Sequence, residues 1–442
     1  MNNHPYIQIN LITIDEAKGK FALNDVALAT LRSLEGDIKV VAVAGLQRTG
    51  KSFLLNQLVM GQGGKFEVGS TVQTCTKGIN MIVKRSVTSA EPNIIFLDTE
   101  GFGSTDRSQG FDIKLFSLAL LLSSYFIYNS RGVIDSSAIE DLSLVVQLTK
   151  HIHVKERGKG ESDDGNLFTD YFPTFHWIVR DFALKLVDED GNEIDSRQYM
   201  ENALDSASED DESKQAMLVS NMIRGFFSNR DCMTLVRPVT DEEKLQNLAS
   251  EPFETLREEF REQLKRLREI VMKNANVKTL NGAILSGNNF ASLAETYVKS
   301  INDGEVPTIA SAFDRMIKEQ CLQAKDKALV LYEKRVRRTT TLSSQESDED
   351  EENEDNNQED DKRKLLLLKS CRESLKGVKL PIESDLLARS HEIASKIAND
   401  SFHREVSSLD GPEIVRFATP SPFFFRMLSC TNSTTTNIGT RI

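Results

Sequence analysis

Gly45-Leu46-Gln47-Arg48-Thr49-Gly50-Lys51-Ser52 is a GxxxxGK[ST] loop, and what stands on either side of it decides the fold. A β-branched run at 38–44 precedes it, and Phe53, Leu54, Leu58 and Val59 follow at helical spacing. Strand, glycine-bearing loop and helix, in that order, surround phosphate oxygens with inward-facing backbone N–H groups and the positive end of a helix dipole. Gly45, Thr49 and Gly50 shape the cradle, Lys51 bridges the β- and γ-phosphates, and the Ser52 hydroxyl reaches Mg²⁺. Further out, strand-like runs at 79–83, 94–97 and 175–179 alternate with helical ones, as an α/β sheet requires. The apolar stretch 116–126 reads as a buried helix between two strands. The expected fold is α/β, a P-loop NTPase domain with a mostly parallel central sheet, followed by an α-helical domain.

A second motif stands at the right distance. Ile94-Ile95-Phe96-Leu97-Asp98-Thr99-Glu100-Gly101 is an apolar strand ending in a carboxylate. Asp98 is placed to hold the Mg²⁺ shell, and the Gly101 amide to meet the γ-phosphate. Between the motifs, Gly69-Ser70-Thr71-Val72-Gln73-Thr74-Cys75-Thr76-Lys77-Gly78 is a polar, Thr-rich loop. A hydroxyl there completes Mg²⁺ coordination only while the γ-phosphate is present, and Thr76 is the residue expected to supply it. No NKxD guanine motif is found, so motifs alone leave ATP and GTP both open. The candidate base reader is Arg180-Asp181 after the run 175–179. A carboxylate accepts from guanine N1–H and the 2-amino group together, whereas adenine has no donor at N1.

Composition narrows the class. With 39% hydrophobic and 27% charged residues the chain is ordinary for a globular protein, and its net charge of -13 argues against a nucleic-acid binder. Eleven acidic residues crowd into 346–361, so the rest of the chain is nearly neutral and that tract is expected to be disordered. The five cysteines show no CxxC spacing, which fits reduced thiols and a cytoplasmic protein, with a nuclear one left open. The apolar stretch 115–128 is interrupted by Ser117, Ser123 and Ser124 and is too short to span a bilayer. Neither Met1-Asn2-Asn3-His4 nor Gly439-Thr440-Arg441-Ile442 carries a leader or lipidation signal, so no membrane anchor is expected. After residue 252 the pattern turns helical, with Phe253, Leu256, Phe260, Leu264, Leu267, Ile270 and Val271 at heptad-like spacing. The expected organisation is 1–280 as the nucleotide-binding domain, 281–340 and 365–410 as a helical domain, 341–364 as an acidic insertion and 411–442 as an irregular tail.

Arg48 to Ser52, Gly69 to Gln73 with Thr76-Lys77-Gly78, Asp98 to Gly101, Phe175 to Asp181, Leu120 to Ser124 with Tyr128-Asn129-Ser130, and Arg237-Pro238 after Phe226-Phe227 together resemble the guanylate-binding-protein family of dynamin-like large GTPases. The resemblance covers about residues 20–335. It implies GTP as substrate with Mg²⁺, hydrolysis to GDP with GMP left open, and pairing of two nucleotide-binding domains in a homodimer. It further implies that Asp181 reads guanine beside Arg180, that residues 228–239 are a loop which, with Arg237, forms a cap over the base, and that Gly69 and Ser70 belong to the nucleotide-contacting loop. Arg48 is implied as an arginine finger acting in cis, with Thr74 and Glu100 orienting the attacking water. Gln47 and Cys75 depart from the usual family residues, and the chain stops soon after one helical block where relatives continue. Two rivals follow from the same residues. One is a nucleotide-controlled scaffold that recruits protein partners through the acidic tract. The other is an atlastin-like membrane-remodelling GTPase, which would need a transmembrane hairpin.

Overall fold

The computed structural model describes residues 8–15, 19–59, 66, 76–88, 91–103, 109–143, 172–188, 190–209, 214–248, 250–280 and 282–304, with scattered helical residues between 322 and 403. The chain forms two compact units, Met1–Met316 and Ile317–Ile442. The first therefore continues past residue 280. Its helix Gly287–Asn302 is tied in by Asn302, whose side chain bonds both the N–H and the C=O of Phe21 at 2.8 and 2.7 Å. The acidic tract, the polar stretch 155–170 and the tail lie outside the described residues.

The first unit is built on eight strands: β1 (Gln8–Asp15), β2 (Lys20–Leu23), β3 (Ile38–Ala44), β4 (Ile79–Lys84), β5 (Asn93–Thr99), β6 (Tyr125–Arg131), β7 (Thr174–Arg180) and β8 (Arg230–Leu235). Their order is β2-β1-β4-β5-β3-β6-β7-β8. From β5 to β8 neighbours are parallel, and β4, β1 and β2 add an antiparallel flank. The central strands are buried along nearly their whole length, as parallel strands covered on both faces must be. Helix α1 (Asp25–Arg32) precedes β3, α2 (Lys51–Val59) follows it, and α3 (Gln109–Leu122) links β5 to β6.

One face of the sheet offers Val41, Val43, Phe96, Ile127, Ile178 and Leu235 to α2 and to the helix Glu258–Asn274. The heptad-like residues of that helix become its buried stripe: Phe260, Leu264, Leu267 and Val271 are all under 5% exposed, while the charged residues between them face outward. Each such side chain adds about 1.5–3 kcal/mol on leaving water. Among the described residues no helix is long and apolar enough to cross a membrane.

Two expectations need correction. The stretch 116–126 is not one helix, because α3 stops at Leu122 and Tyr125 opens the central strand β6. Ser123 N–H still bonds back to Ala119 O at 3.2 Å, and Lys278 Nζ closes the last helical carbonyls, meeting Leu121 O at 2.8 Å and Ser123 O at 2.7 Å. Ser124 Oγ then accepts from Val40 N–H at 3.0 Å and starts the ladder. Apolar residues run on both sides of Ser123 and Ser124, which concealed the change from helix to strand. Likewise, 228–239 is not wholly a loop: Arg230–Leu235 is β8, with its partner β7 in parallel register.

Lys278 is buried, and burial pushes its pKa down to about 7. A lysine lowered in the folded state binds fewer protons than its unfolded counterpart above that value. Stability should therefore rise with pH from about 7 towards the unfolded lysine pKa, at up to about 1.4 kcal/mol per pH unit from this group. Lys278→Met should remove that slope in denaturant melts at pH 7, 8 and 9. Parallel curves for the two proteins would contradict it.

Candidate nucleotide-binding site

The site lies at the carboxyl ends of the parallel strands, where β3 has β5 on one side and β6 on the other and the connections diverge. The loop leaving β3 is pressed against β6. Gly45 has φ +148°, and a Cβ there would stand 2.2 Å from Asn129 O. Two backbone bonds stitch the loop to the segment after β5, Phe102 N–H to Gly45 O at 3.2 Å and Gln47 N–H to Phe102 O at 3.1 Å. Side chains hold three of its carbonyls: Lys51 Nζ donates to Leu46 O (2.8 Å), Asn129 Nδ2 to Thr49 O (2.9 Å) and Arg180 Nη1 to Gly50 O (3.4 Å). With its carbonyls engaged, the loop has N–H groups left to offer an anion. Arg48 takes a left-handed backbone, φ +59°, at an exposed position. Such a conformation costs a non-glycine residue about 1 kcal/mol and tends to persist at functional loops.

Ser52, Thr76 and Asp98 come together. Ser52 Oγ donates to Asp98 Oδ2 at 2.7 Å, Thr76 Oγ1 to the same oxygen at 2.9 Å, and the two hydroxyls are 3.4 Å apart. Asp98 is fully buried, and among the described residues its Oδ1 has no hydrogen-bond partner. Two hydroxyls and a carboxylate with an orphaned oxygen are hard oxygen donors, and they fit Mg²⁺, which takes few protein ligands beside phosphate oxygens and water. Burial pushes Asp98 up to about 6 despite the Ser52 hydrogen bond and the Lys51 charge. Burial likewise draws Lys51 down to about 8 against the pull of Asp98 and Glu100. Both groups are short of solvation, the state that an incoming phosphate and cation would relieve.

Glu100 is buried and latched to Gly78: Gly78 N–H donates to Glu100 Oε2, and Glu100 N–H to Gly78 O, each at 2.9 Å. It thus ties the strand end after Asp98 to the segment that carries Thr76. At Gly101 a Cβ would approach Gln47 Cα to 2.6 Å and Lys51 Nζ to 2.8 Å, so glycine keeps that approach open. Gly69, Ser70 and Thr74 lie outside the described residues.

At the base end, Asp181 follows β7 in a left-handed conformation, φ +57°, which aspartate tolerates better than most residues. The flanking backbone fixes the bend through Gly132 N–H to Arg180 O (2.9 Å) and Phe182 N–H to Leu235 O (3.0 Å). The two members of the Arg-Asp pair part company here. Asp181 stays accessible and pairs with Arg131 at the end of β6, while Arg180 is 4% exposed. The Arg180 guanidinium sits between Phe53 of α2 and Phe260, 5.9 and 5.6 Å from the ring centroids, and burial lowers its pKa to about 10. It meets the phosphate loop from the interior, through Gly50. Arg237 stands just past β8 and pairs with Glu242 at 2.8 Å.

Asn129, Arg131 and the Phe53–Phe260 pair were not singled out as site residues from sequence. Strand alternation carried one signal, since residues 176, 178 and 180 share a face and Ile178 belongs to the core beneath α2.

The family profile for the guanylate-binding protein N-terminal domain matches residues 18–280, and that for the guanylate-binding protein C-terminal domain matches 281–356. Guanylate-binding protein 7 of Mus musculus is 35% identical over 340 residues, 76% of this chain and 53% of that protein. Guanylate-binding protein 2 of Homo sapiens is 35% identical over 327 residues, 73% of this chain and 55% of that protein. The chain spans about half the length of the curated relatives it matches.

Proposed function

The chain belongs to the guanylate-binding protein family, and on that premise we propose that it binds and hydrolyses GTP at the site formed by the 45–52 loop and the ends of β5 and β7. The observation that carries this reading is the convergence of Lys51, Ser52, Thr76 and Asp98, which come from three separate points of the chain. Gly45, Thr49 and Gly50 shape the loop, and Lys51 meets the β- and γ-phosphates. Ser52, Thr76 and Asp98 hold Mg²⁺, which when bound neutralises phosphate charge. The Gly101 amide faces the γ-phosphate. Glu100 and Thr74 orient the water that attacks it, and Arg48 neutralises the charge that develops in transfer. Gly69 and Ser70 lie along the same loop as Thr74. Asp181 reads guanine, Arg180 braces the loop beneath it, and Arg237 belongs to the cap over the base. GDP leaves as product, with GMP formation a further step, and two copies pair through their nucleotide faces. The nucleotide-binding part takes in 1–280, and the helix Gly287–Asn302 that follows packs in the same compact unit.

Base choice tests the reading. Two hydrogen bonds to a charged carboxylate are together worth about 10²-fold or more, so GTP should outbind ATP by at least that factor. Asp181→Asn should erase most of the preference while leaving the melting temperature in place. Titrations of GDP and ADP beside turnover of GTP and ATP decide it, and equal affinity in the wild type overturns the assignment.

A further inference from the structure

Gln47 carries two donor groups, and the phosphate loop uses only one of them. Its backbone N–H is spent on Phe102 O at 3.1 Å. Its side-chain Nε2 is buried, and among the described residues no acceptor meets it. A buried amide donor left without a partner costs about 1–3 kcal/mol, a cost that an acceptor arriving with a ligand removes. The neighbours of Gln47 show which ligand group that is. A Cβ built on Gly101 would stand 2.6 Å from Gln47 Cα and 2.8 Å from Lys51 Nζ, so Gln47 and the Lys51 cation flank one point of the segment after β5. The bridge between Leu46 and Phe102 fixes the loop in that place.

Lys51 Nζ, the Gly101 N–H and Gln47 Nε2 are all donors, and a set of donors without an acceptor fits an anion. Lys51 and the Gly101 amide are the groups that meet the γ-phosphate in the proposed GTP site. From this juxtaposition we infer that Gln47 is a further nucleotide-contacting residue: its side-chain amide donates to the γ-phosphate and so favours the triphosphate over the diphosphate. The inference deepens the proposed GTP site and rests on it. A neutral amide donating to a charged oxygen is worth roughly 10- to 100-fold in affinity. GDP ends at the β-phosphate and has no γ-oxygen to accept that bond, so the whole gain falls to the triphosphate.

The probes are GDP and a non-hydrolysable GTP analogue with a β,γ-imido bridge. Both are read by equilibrium titration at two protein concentrations, so that pairing of copies is seen separately. Gln47→Met keeps the length of the side chain and removes the amide. Its preference for the analogue over GDP should fall about 10-fold or more below that of the wild type, while GDP affinity stays within about 2-fold. Gln47→Glu should lose still more of the preference, because a carboxylate there opposes the phosphate charge. It also guards against a methionine variant that fails to fold. If either variant keeps the wild-type preference, whether both nucleotides weaken alike or turnover alone falls, the amide does not meet the γ-phosphate and the inference is overturned. The wild type separates this from failure of the underlying reading. If it binds GDP while the variants keep its preference, only the role of Gln47 falls; if it binds neither nucleotide, the site and the inference fall together.

Discussion

Arg48→Ala should lower GTP turnover by about 10³-fold while nucleotide affinity falls far less, because an arginine that serves the transition state adds little to the ground state. The structure puts the physical basis in place. Arg48 is exposed, on a left-handed turn of the loop that wraps the phosphates, where a cation can meet charge developing in transfer. The loop carbonyls are held by Lys51, Asn129 and Arg180, so removing the Arg48 side chain leaves the cradle standing. Lys51→Ala should behave oppositely and abolish binding, since Lys51 is the buried cation within the loop. If the finger engages only when two copies meet, wild-type specific activity should rise with protein concentration. Single-turnover kinetics with nucleotide titrations separate the two variants. Wild-type turnover in Arg48→Ala would end the finger assignment.

Gly45→Ala is expected to destabilise the protein by about 3 kcal/mol or more. Its Cβ would stand 2.2 Å from Asn129 O and 3.1 Å from Asn129 C, both backbone atoms of a central strand that cannot yield as a side-chain tip would. The residue also holds φ +148°. Gly191→Ala is the matched control: it too has positive φ, +84°, but a Cβ there meets nothing within 4 Å, so it should show the backbone strain alone, about 1 kcal/mol. Thermal melts should place Gly45→Ala several degrees below Gly191→Ala. Equal melting temperatures would mean that the loop and β6 separate freely.

How much of this was legible depended on whether the signal was local. Residues 45–52 could be recognised because the chemistry of phosphate binding is written in one continuous loop between a strand and a helix. Asp98 followed from its distance to that loop and the apolar run before it, and Asp181 from its place at a strand end joined to a family resemblance. The strand β6 escaped, because Leu115 to Tyr128 is apolar apart from Ser117, Ser123 and Ser124 and carries no period that separates helix from strand. What ends α3 is Lys278, more than 150 residues away, bonding Leu121 O.

By itself, then, the sequence determined the fold class and singled out the loop at 45–52 between a strand and a helix, since these rest on local spacing and backbone preference. Only the tertiary structure decided that Arg180 and Asp181, adjacent in the chain, serve opposite sides, one braced between Phe53 and Phe260 and the other offered to solvent beside Arg131. It alone brought Ser52 and Thr76 onto one oxygen of Asp98. The reason is that strand order is a non-local choice: β5, β3, β6 and β7 become neighbours through packing of the whole sheet. Which side chains then share an oxygen is fixed by register across strands and is not written in any one of them.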